Sequence, residues 1–512
     1  MPLQDSTSQS SDLVLGGLWT ALSAIVGVPV SLFVNVWLAR ALGVDGVGVW
    51  GRLATAWSLL AAVVSLGVGA ASVQWMAGAR GSGDGDAYLA VVRACSAFHV
   101  FIQAPLLAAA TVFLLRDAPR WLVVAAAIAA FVEHGLGTSS VVLTGSARNA
   151  RAAQLSLVVV IAKAAIVLIA SSVSSDAVLV WGAAQCLGAF ASLMCLASIS
   201  SRERSALLGL VSLRGWPPGF LRFGLFAGAS SLAAMVIFGR SELIVLGFYN
   251  EATAAGLFTV AAGFAGLITV PMDSLMGPLV PAAAFYMGVS REKAAEVMER
   301  TLRLTSVLGG ATAAAAPGAV ILVIPALFGP DFRSAEPAAI ALALLSLVQS
   351  VIGPMTAFAW AGRKGGALLG TSGLAAGVDV AVAVSVIPLL GLNGAVIAAC
   401  AGQAAHLAAV AVIAKRATGL GLARQLVVIA PLCVGLFAGT LSMCARPLLP
   451  GSGGAIAMML IAWATFRLLL RARPTLNIST LEWERLLGSL GRRTLPLGRV
   501  ARLILGNGGN VA

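Results

Sequence analysis

Residues 39–52 read ARALGVDGVGVWGR and separate two long apolar runs. Gly43, Gly46 and Gly48 punctuate the turn between those runs, and Arg52 lies just inside the second run. Glycine permits a tight turn because it has no side chain to clash with the backbone. A guanidinium inside a membrane-spanning helix is costly unless it faces protein or water, so Arg52 is the first candidate functional residue.

The composition indicates a membrane protein. Of the 512 residues, 59% are hydrophobic and 10% are charged, which is too few charges to cover a soluble protein of this length. Apolar runs of about 20 residues, the length that crosses a bilayer as a helix, recur throughout the chain. The six cysteines are scattered without metal-ligand spacing, so the sequence predicts neither a metal site nor a disulfide framework.

We predict an all-α polytopic membrane protein with about 14 transmembrane helices, separated by Gly, Pro, Asp and clustered Arg residues. The predicted spans are residues 13–38, 47–73, 88–115, 120–143, 154–173, 177–199, 220–249, 254–285, 301–328, 334–361, 365–389, 391–415, 424–445 and 453–470.

Basic residues alternate between successive loops. Seventeen lysines and arginines lie in the loops after even-numbered spans or in the span ends beside them, and five lie in or beside the loops after odd-numbered spans. Because cytoplasmic loops carry the excess of basic residues, this pattern predicts an inner (plasma) membrane protein with both termini in the cytoplasm. Contact with anionic membrane lipids then accounts for the net charge of +13 without a nucleic-acid partner.

An internal repeat relates spans one and two to spans seven and eight. Leu42-Gly43 followed by Gly48-Val49-Trp50 is echoed by Leu246-Gly247 followed by Gly256-Leu257-Phe258. Both copies begin on the same side of the membrane, as in transporters built from parallel repeats. Such transporters bind their substrate between the repeats.

Several motifs resemble the polysaccharide (oligosaccharide-lipid) flippases, in the superfamily that also holds multidrug extruders and lipid II flippases. The matching stretches are ARALG with Gly46 and Gly48, residues 223–224 leading to RSELIVLG at 240–247, residues 327–329 with Phe332, and IPLLGLNGA at 387–395. The resemblance covers roughly residues 13–415.

This resemblance implies two pseudo-symmetric six-helix lobes with two additional helices. The expected divisions are a cytoplasmic N-terminus (1–12), an N-lobe (13–200), a cytoplasmic linker (201–219), a C-lobe (220–415), spans 13 and 14 (416–471) and a basic amphipathic cytoplasmic tail (472–512). It also implies that spans one, two, seven and eight surround a central cavity. On that basis Arg52 and Arg240 face each other there, with Glu242 nearby, and bind a pyrophosphate through charge-assisted hydrogen bonds.

Other ionisable residues within the spans are candidates for ion coupling or for structural pairing. Lys163 and Glu133 lie at similar predicted depths in adjacent spans, so we expect an internal ion pair. His134 is a packing residue or a proton relay. Asp379 binds a coupling cation or is simply capped by neighbouring helices. Pro271, Asp273 and Pro278 predict a broken helix and hinge in span eight.

The sequence therefore predicts a non-enzymatic flippase, without cofactor, for a polyprenyl-pyrophosphate-linked oligosaccharide, moved from the inner to the outer leaflet by alternating access. No phosphate-binding G-x-x-x-x-G-K-[ST] motif is present. Expected partners are the lipid-linked oligosaccharide, membrane lipids and polysaccharide polymerase or assembly proteins.

The alternatives are a cation-coupled multidrug extruder, a lipid II flippase and a membrane glycosyltransferase or polymerase. The extruder is disfavoured because span one contains no acidic residue, and the enzymes because the loops are short.

Overall fold

The computed structural model describes residues 6–146, 148–209, 216–238, 241–249, 251–362, 364–444, 446 and 451–472. The described residues form helices and connecting turns, as the apolar periodicity predicts. Thirteen of these helical stretches are long and apolar enough to cross a membrane. The all-α, polytopic fold is therefore confirmed, and the predicted tail lies outside the described residues from 473 onward.

The helices follow the predicted spans closely. Their bounds are Ser6–Ser65, Val68–Gly81, Gly85–Phe98, Ala104–Leu114, Arg120–Gly135, Thr138–Gly145, Asn149–Val173, Ala177–Ser198, Ser201–Leu208, Phe220–Phe238, Glu242–Phe248, Ala252–Val289, Arg291–Phe328, Glu336–Ser346, Gln349–Ala361, Gly365–Leu390, Leu392–Thr418, Leu422–Cys444 and Gly451–Ala472. A π-helical turn, His99–Gln103, and a 3₁₀ turn, Pro330–Ala335, complete two of the spans.

The first helix contains two predicted spans divided at Gly43. A straight helix of 60 residues would be about 90 Å long, roughly three times the thickness of a hydrocarbon core. At Gly43 the backbone leaves the helical conformation, with φ 68° and ψ −177°. Only glycine adopts this conformation readily. Division at Gly43 restores the two predicted spans.

One predicted span is interrupted within the described residues. Span two, predicted over 47–73, breaks at Leu66 and Gly67, which have φ values of 47° and 68°. The apolar pattern predicts length but does not detect this break, because the residues on both sides are equally apolar. Span seven, predicted over 220–249, contains the helices Phe220–Phe238 and Glu242–Phe248, and residues 239 and 240 between them lie outside the described residues.

The described chain contains two compact units. The first comprises the described residues within Met1–Gly263, Leu327–Ser334 and Ser372–Gly402, and the second comprises those within Phe264–Ala326, Ala335–Thr371 and Gln403–Ala512. Each has its own apolar core, centred on residues such as Met76, Phe98 and Phe220 in the first, and Val307, Ala438 and Phe466 in the second. This grouping does not test the predicted lobe boundaries, which stay a prediction.

Within the first unit, the beginnings of spans two and eight touch through their backbones. A Cβ atom on Gly48 would lie 2.2 Å from the carbonyl oxygen of Ala252, and a Cβ atom on Gly256 would lie 1.9 Å from that of Val44. No side chain larger than hydrogen fits at either glycine, so helix packing at van der Waals distance depends on both.

Further contacts extend this packing along both helices. The Thr253 hydroxyl donates a hydrogen bond of 2.7 Å to the Asp45 carboxylate, and the two residues are 208 positions apart. A Cβ atom on Gly51 would lie 2.2 Å from Oγ1 of Thr259. We call residues 44–51 and 252–259 the seam. Along it Asp45 contacts Thr253 and Gly51 contacts Thr259, both 208 positions apart, which is the spacing that relates Gly48-Val49-Trp50 to Gly256-Leu257-Phe258.

A charged cluster holds the helix Ser201–Leu208 to its unit. Ser200 caps this helix in a capping box with Glu203. The Glu203 carboxylate also accepts hydrogen bonds of 2.7 Å from Arg148 and from the Tyr88 hydroxyl. Burial raises the pKa of Glu203, but the hydrogen bonds from Arg148, Tyr88 and Ser200 outweigh it and leave the pKa below its ordinary value. Part of the predicted inter-lobe linker is therefore a fixed helix.

We predict that Glu203→Gln lowers the free energy of unfolding by roughly 1–3 kcal/mol at pH 7, because it weakens charge-assisted hydrogen bonds. A carboxylate whose pKa is lowered by folding stabilises the protein above its unfolded pKa, and this contribution disappears as pH falls through the folded value. The difference in melting temperature between wild type and variant should therefore shrink as the pH approaches 4 and below. Glu296→Gln, which alters the exposed ion pairs to Lys293 and Arg300, is the control. An equal effect from both variants would contradict the role of Glu203.

Candidate functional site

Arg52 immediately follows the seam in the sequence, one residue beyond Gly51, and lies inside the apolar helix. Its Nη1 donates to the carbonyl oxygen of Gly247 at 3.4 Å. A Cβ atom on Gly247 would lie 2.4 Å from Cδ of Arg52, so the aliphatic part of the arginine packs directly over the glycine. The glycine of the Leu-Gly pair that begins the second copy of the repeat motif thus accommodates the arginine that follows the first copy.

The structure does not test the predicted pairing of Arg52 with Arg240. Arg240 lies outside the described residues, between the helices Phe220–Phe238 and Glu242–Phe248. Arg52 is partly exposed, and its hydrogen bond to Gly247 is long. A guanidinium has five N–H donors in a fixed planar arrangement, and among the described residues Arg52 uses one of them in this long bond.

Glu242 and Asp379, which the sequence analysis assigned to different roles, lie together in the first unit. Ser241 donates a hydrogen bond of 3.0 Å to Oδ2 of Asp379 across 138 positions of sequence. The Glu242 carboxyl is within hydrogen-bonding range of the same aspartate. Glu242 is 2% exposed and Asp379 is fully buried. Two carboxyl groups from spans seven and eleven therefore form one buried acidic site.

A glycine also shapes the acidic site. A Cβ atom on Gly402, in the helix Leu392–Thr418, would lie 2.7 Å from Cβ of Asp379. Among the described residues, Oδ1 of Asp379 is buried and has no hydrogen-bond partner. Two carboxylates in contact inside an apolar environment repel each other strongly. The pair is stable when it shares a proton or holds a cation.

Glu133 and Lys163 do not form the expected ion pair. Lys163 is exposed, and no ion pair within 4.0 Å joins it to Glu133 in the described part of the chain. Lys163 still interacts electrostatically with Glu133 through space. The Glu133 carboxylate instead lies against Gly188, where a Cβ atom would be 1.7 Å from Oε2. Equal depth in adjacent helices is not enough to predict an ion pair, because it does not fix the direction in which each side chain points.

His134 belongs to a buried polar cluster that includes residues the sequence analysis missed. Its Nδ1 lies 3.5 Å from Nε2 of Gln103, and its ring lies 5.6 Å from that of Trp57. Nδ1 of the nearby His99 lies 2.8 Å from the Thr138 hydroxyl. This geometry makes His134 a packed, hydrogen-bonded residue, and its relay role stays a prediction.

His99 and Gln103 bound the π-helical turn within span three. Pro105 follows two residues later and cannot donate a backbone hydrogen bond to the preceding turn, which favours an irregular helix. Two polar residues one turn apart, followed by proline in an otherwise apolar run, were the sequence signal for this feature.

The predicted hinge lies within a helix. Pro271, Asp273 and Pro278 fall inside Ala252–Val289, and their side chains are outside the described residues. The hinge therefore stays a prediction. Among the described residues, no group of three or more His, Cys, Asp or Glu side chains is arranged to hold a metal ion.

The fold resembles those of solved transporters. An inward-facing multidrug resistance MATE family transporter of the MOP superfamily gives a TM-score of 0.58 at 15% identity, covering 79% of this chain and 98% of that one. The lipid II flippase MurJ gives 0.56 at 14% identity, covering 90% and 99%. The eukaryotic MATE transporter AtDTX14 gives 0.51 at 13% identity, covering 81% and 100%. At these identities the likeness concerns the fold alone.

Comparison with protein-family sequences identifies the family, which the likeness of fold does not. No curated protein matches the chain. The model of the family described as polysaccharide biosynthesis protein matches residues 13–286, more than half of the 512 residues. That range contains both copies of the glycine-turn repeat, the seam and Arg52. The chain belongs to this polysaccharide biosynthesis family, and its described residues have an all-helical, multi-pass membrane fold similar to those of the solved transporters.

Proposed function

We propose that this protein moves a polyprenyl-pyrophosphate-linked oligosaccharide from the inner to the outer leaflet by alternating access. The observation that carries this proposal is Arg52, a guanidinium inside a membrane helix with its stem packed over Gly247. An arginine there suits a diphosphate headgroup, because its planar donors match phosphate oxygens bidentately. Because the family is described as polysaccharide biosynthesis protein, we infer that a glycan is attached to that headgroup.

The orientation follows from the basic residues. With the arginine-rich loops in the cytoplasm, the seam faces the outside, and Arg52 lies about 6 Å below Gly48 along the helix. Arg240 and Glu242, from the adjoining span, complete the proposed headgroup site. Polymerase or assembly proteins would act on the product at the outer surface.

The acidic site of Glu242 and Asp379 supports a coupling role. A buried carboxyl pair can take up a monovalent cation or a proton, and its net charge changes when it does. Because Glu242 is only two residues from Arg240, uptake changes the electrostatic potential where the headgroup would bind. We propose that this pair couples transport to an ion gradient.

Two related transport functions remain as alternatives. The acidic pair would also suit a multidrug extruder that exchanges a cationic drug for an ion. Arg52 would equally suit the pyrophosphate of lipid II. The three functions differ in the process that should fail when Arg52 is lost. That process is glycan export for the oligosaccharide flippase, drug resistance for the multidrug extruder and cell-wall synthesis for the lipid II flippase.

We predict that Arg52→Ala and Arg240→Ala each reduce surface polysaccharide at least about tenfold, the effect of losing one charge-assisted hydrogen bond to phosphate. Arg52→Lys should retain part of the activity, since it keeps the charge but loses the planar donors. Surface glycan is quantified in the native host, with membrane insertion checked by immunoblot. Arg116→Ala, at an exposed position, is the matched control. Wild-type export by Arg52→Ala would exclude the anion site.

We also predict that Gly247→Ala reduces export, because the added methyl group displaces the Arg52 side chain. Alanine otherwise favours the helix Glu242–Phe248, so this loss would not reflect poor helix formation. In a double-mutant cycle, Gly247→Ala should add little to Arg52→Ala, because both changes disable the same group. Fully additive losses in export would show that Gly247 acts independently of Arg52.

For the acidic site, we predict that a monovalent cation or a proton stabilises the purified protein and that Asp379→Asn removes this effect. Melting temperature is measured while Na⁺ replaces choline at constant ionic strength, at pH 6 and pH 8. Ligand binding to the folded state raises stability in proportion to RT ln(1 + [L]/Kd). The control Asp117→Asn changes an exposed carboxylate. Identical Na⁺ and pH responses in wild type and Asp379→Asn would contradict the coupling role.

A further inference from the structure

Lys163 carries its side chain near the middle of a membrane span. It lies about 21 Å along its helix from Asn149, where the helix begins, and about 15 Å from Val173, where it ends. The side chain is exposed. A lysine reaches the lipid headgroups only from near a helix end, and a charge that faces hydrocarbon is costly. The surface around Lys163 therefore faces water within the membrane.

This surface is a groove over span six. The span six helix, Ala177–Ser198, packs against both Asn149–Val173 and Arg120–Gly135, whereas those two helices scarcely touch each other. Val159 and Ile166, which lie one turn to either side of Lys163, are half-buried. Lys163 therefore lies on one wall of the groove, span six forms its floor, and span four forms its other wall.

Glu133 lies on the opposite wall, and a glycine makes room for its carboxylate on the floor. A Cβ atom on Gly188 would lie 1.7 Å from Oε2 and 2.2 Å from Cδ of Glu133, so the carboxylate rests on the bare backbone of span six. The Ser192 hydroxyl donates a hydrogen bond of 2.8 Å to the carbonyl oxygen of Glu133 and holds the two helices together at this point. The position of the carboxylate thus depends on Gly188.

The two charged groups select the kind of ligand that fits between them. Among the described residues no ion pair joins Glu133 to Lys163, although the two interact electrostatically through space. A carboxylate only accepts hydrogen bonds, and an ammonium group only donates them. Glu133 would repel a phosphate, and Lys163 would repel a cation. Hydroxyl groups both donate and accept, so an uncharged ligand with several hydroxyl groups suits this groove.

We propose that Glu133 and Lys163 bind hydroxyl groups of the glycan while Arg52 binds the pyrophosphate. This inference rests on the proposed function, because it takes the glycan-bearing lipid as the substrate. All three residues belong to the first unit. His134, next to Glu133, contacts Trp57, which lies about 7.5 Å beyond Arg52 along span two. The pair would distinguish glycans by their hydroxyl groups, which a pyrophosphate site cannot do.

The test compares two lipids that differ only in the glycan. Native mass spectrometry measures how strongly the purified protein retains undecaprenyl pyrophosphate and the same lipid carrying the host's oligosaccharide. Wild type should retain the glycan-bearing lipid about tenfold more strongly, the effect of one hydrogen bond to a charged group. Glu133→Gln and Lys163→Gln should each remove this preference and leave retention of the bare lipid unchanged. Each removes a charge from a membrane span and so should not hinder insertion.

Gly188→Ala is a second variant that keeps both charged groups. Its methyl group would occupy the space of the Glu133 carboxylate, so the preference for the glycan-bearing lipid should fall as it does in Glu133→Gln. Gly78→Ala is the matched control, because a Cβ atom there would have no heavy atom within 4 Å. Melting temperatures of all variants are compared to confirm that they are folded.

The outcomes separate the glycan site from the proposed function. If the glycan adds nothing to retention by wild type, or if the Glu133 and Lys163 variants weaken both lipids equally, the glycan site is wrong. If those variants lose only the preference for the glycan, but cells with and without the protein display equal surface glycan, the glycan site is supported and the proposed transport is contradicted.

Discussion

The packing of the helices in this structure depends on the absence of a side chain at a few glycines. Membrane helices gain little from hydrophobic burial against each other, so their packing depends on how near the backbones can approach. Gly48 and Gly256 bring spans two and eight into backbone contact, and Gly67 and Gly228 do the same for spans two and seven, where a Cβ atom on Gly67 would lie 2.5 Å from the Gly228 nitrogen. These contacts fix span two, and with it the depth and direction of Arg52.

Charge inside the membrane supplies the second constraint. Polar groups there are costly, so each requires a partner, and the partners come from distant parts of the sequence. Ser241 and Glu242 meet Asp379, and His99 meets Thr138. The first of these clusters can change its charge by taking up an ion, and Arg52 can bind an anion. We propose that the chain combines an anion site at Arg52 with an ion-responsive acidic site, as coupled export of a charged lipid requires.

Much of the fold could be predicted because a membrane imposes simple rules on sequence. Apolar length gave the spans, and the internal repeat identified the segments that form the seam. Two kinds of feature were beyond those rules. The break at Leu66–Gly67 interrupts a run of uniform hydropathy, and the π-helical turn at His99–Gln103 is marked only by two polar residues and a following proline. The second kind of feature is the direction in which a side chain points. Helix depth alone suggested the Glu133–Lys163 pair and gave no indication that Asp379 contacts Ser241.

The central claim is that Arg52 recognises a pyrophosphate attached to a lipid. Native mass spectrometry of the purified protein with undecaprenyl pyrophosphate, undecaprenyl monophosphate and undecaprenol tests this most directly. We expect wild type to retain the pyrophosphate more strongly than the monophosphate and to retain the alcohol weakly, and Arg52→Ala to lose the preference. Equal retention of all three lipids by wild type, or an unchanged preference in Arg52→Ala, would contradict the account.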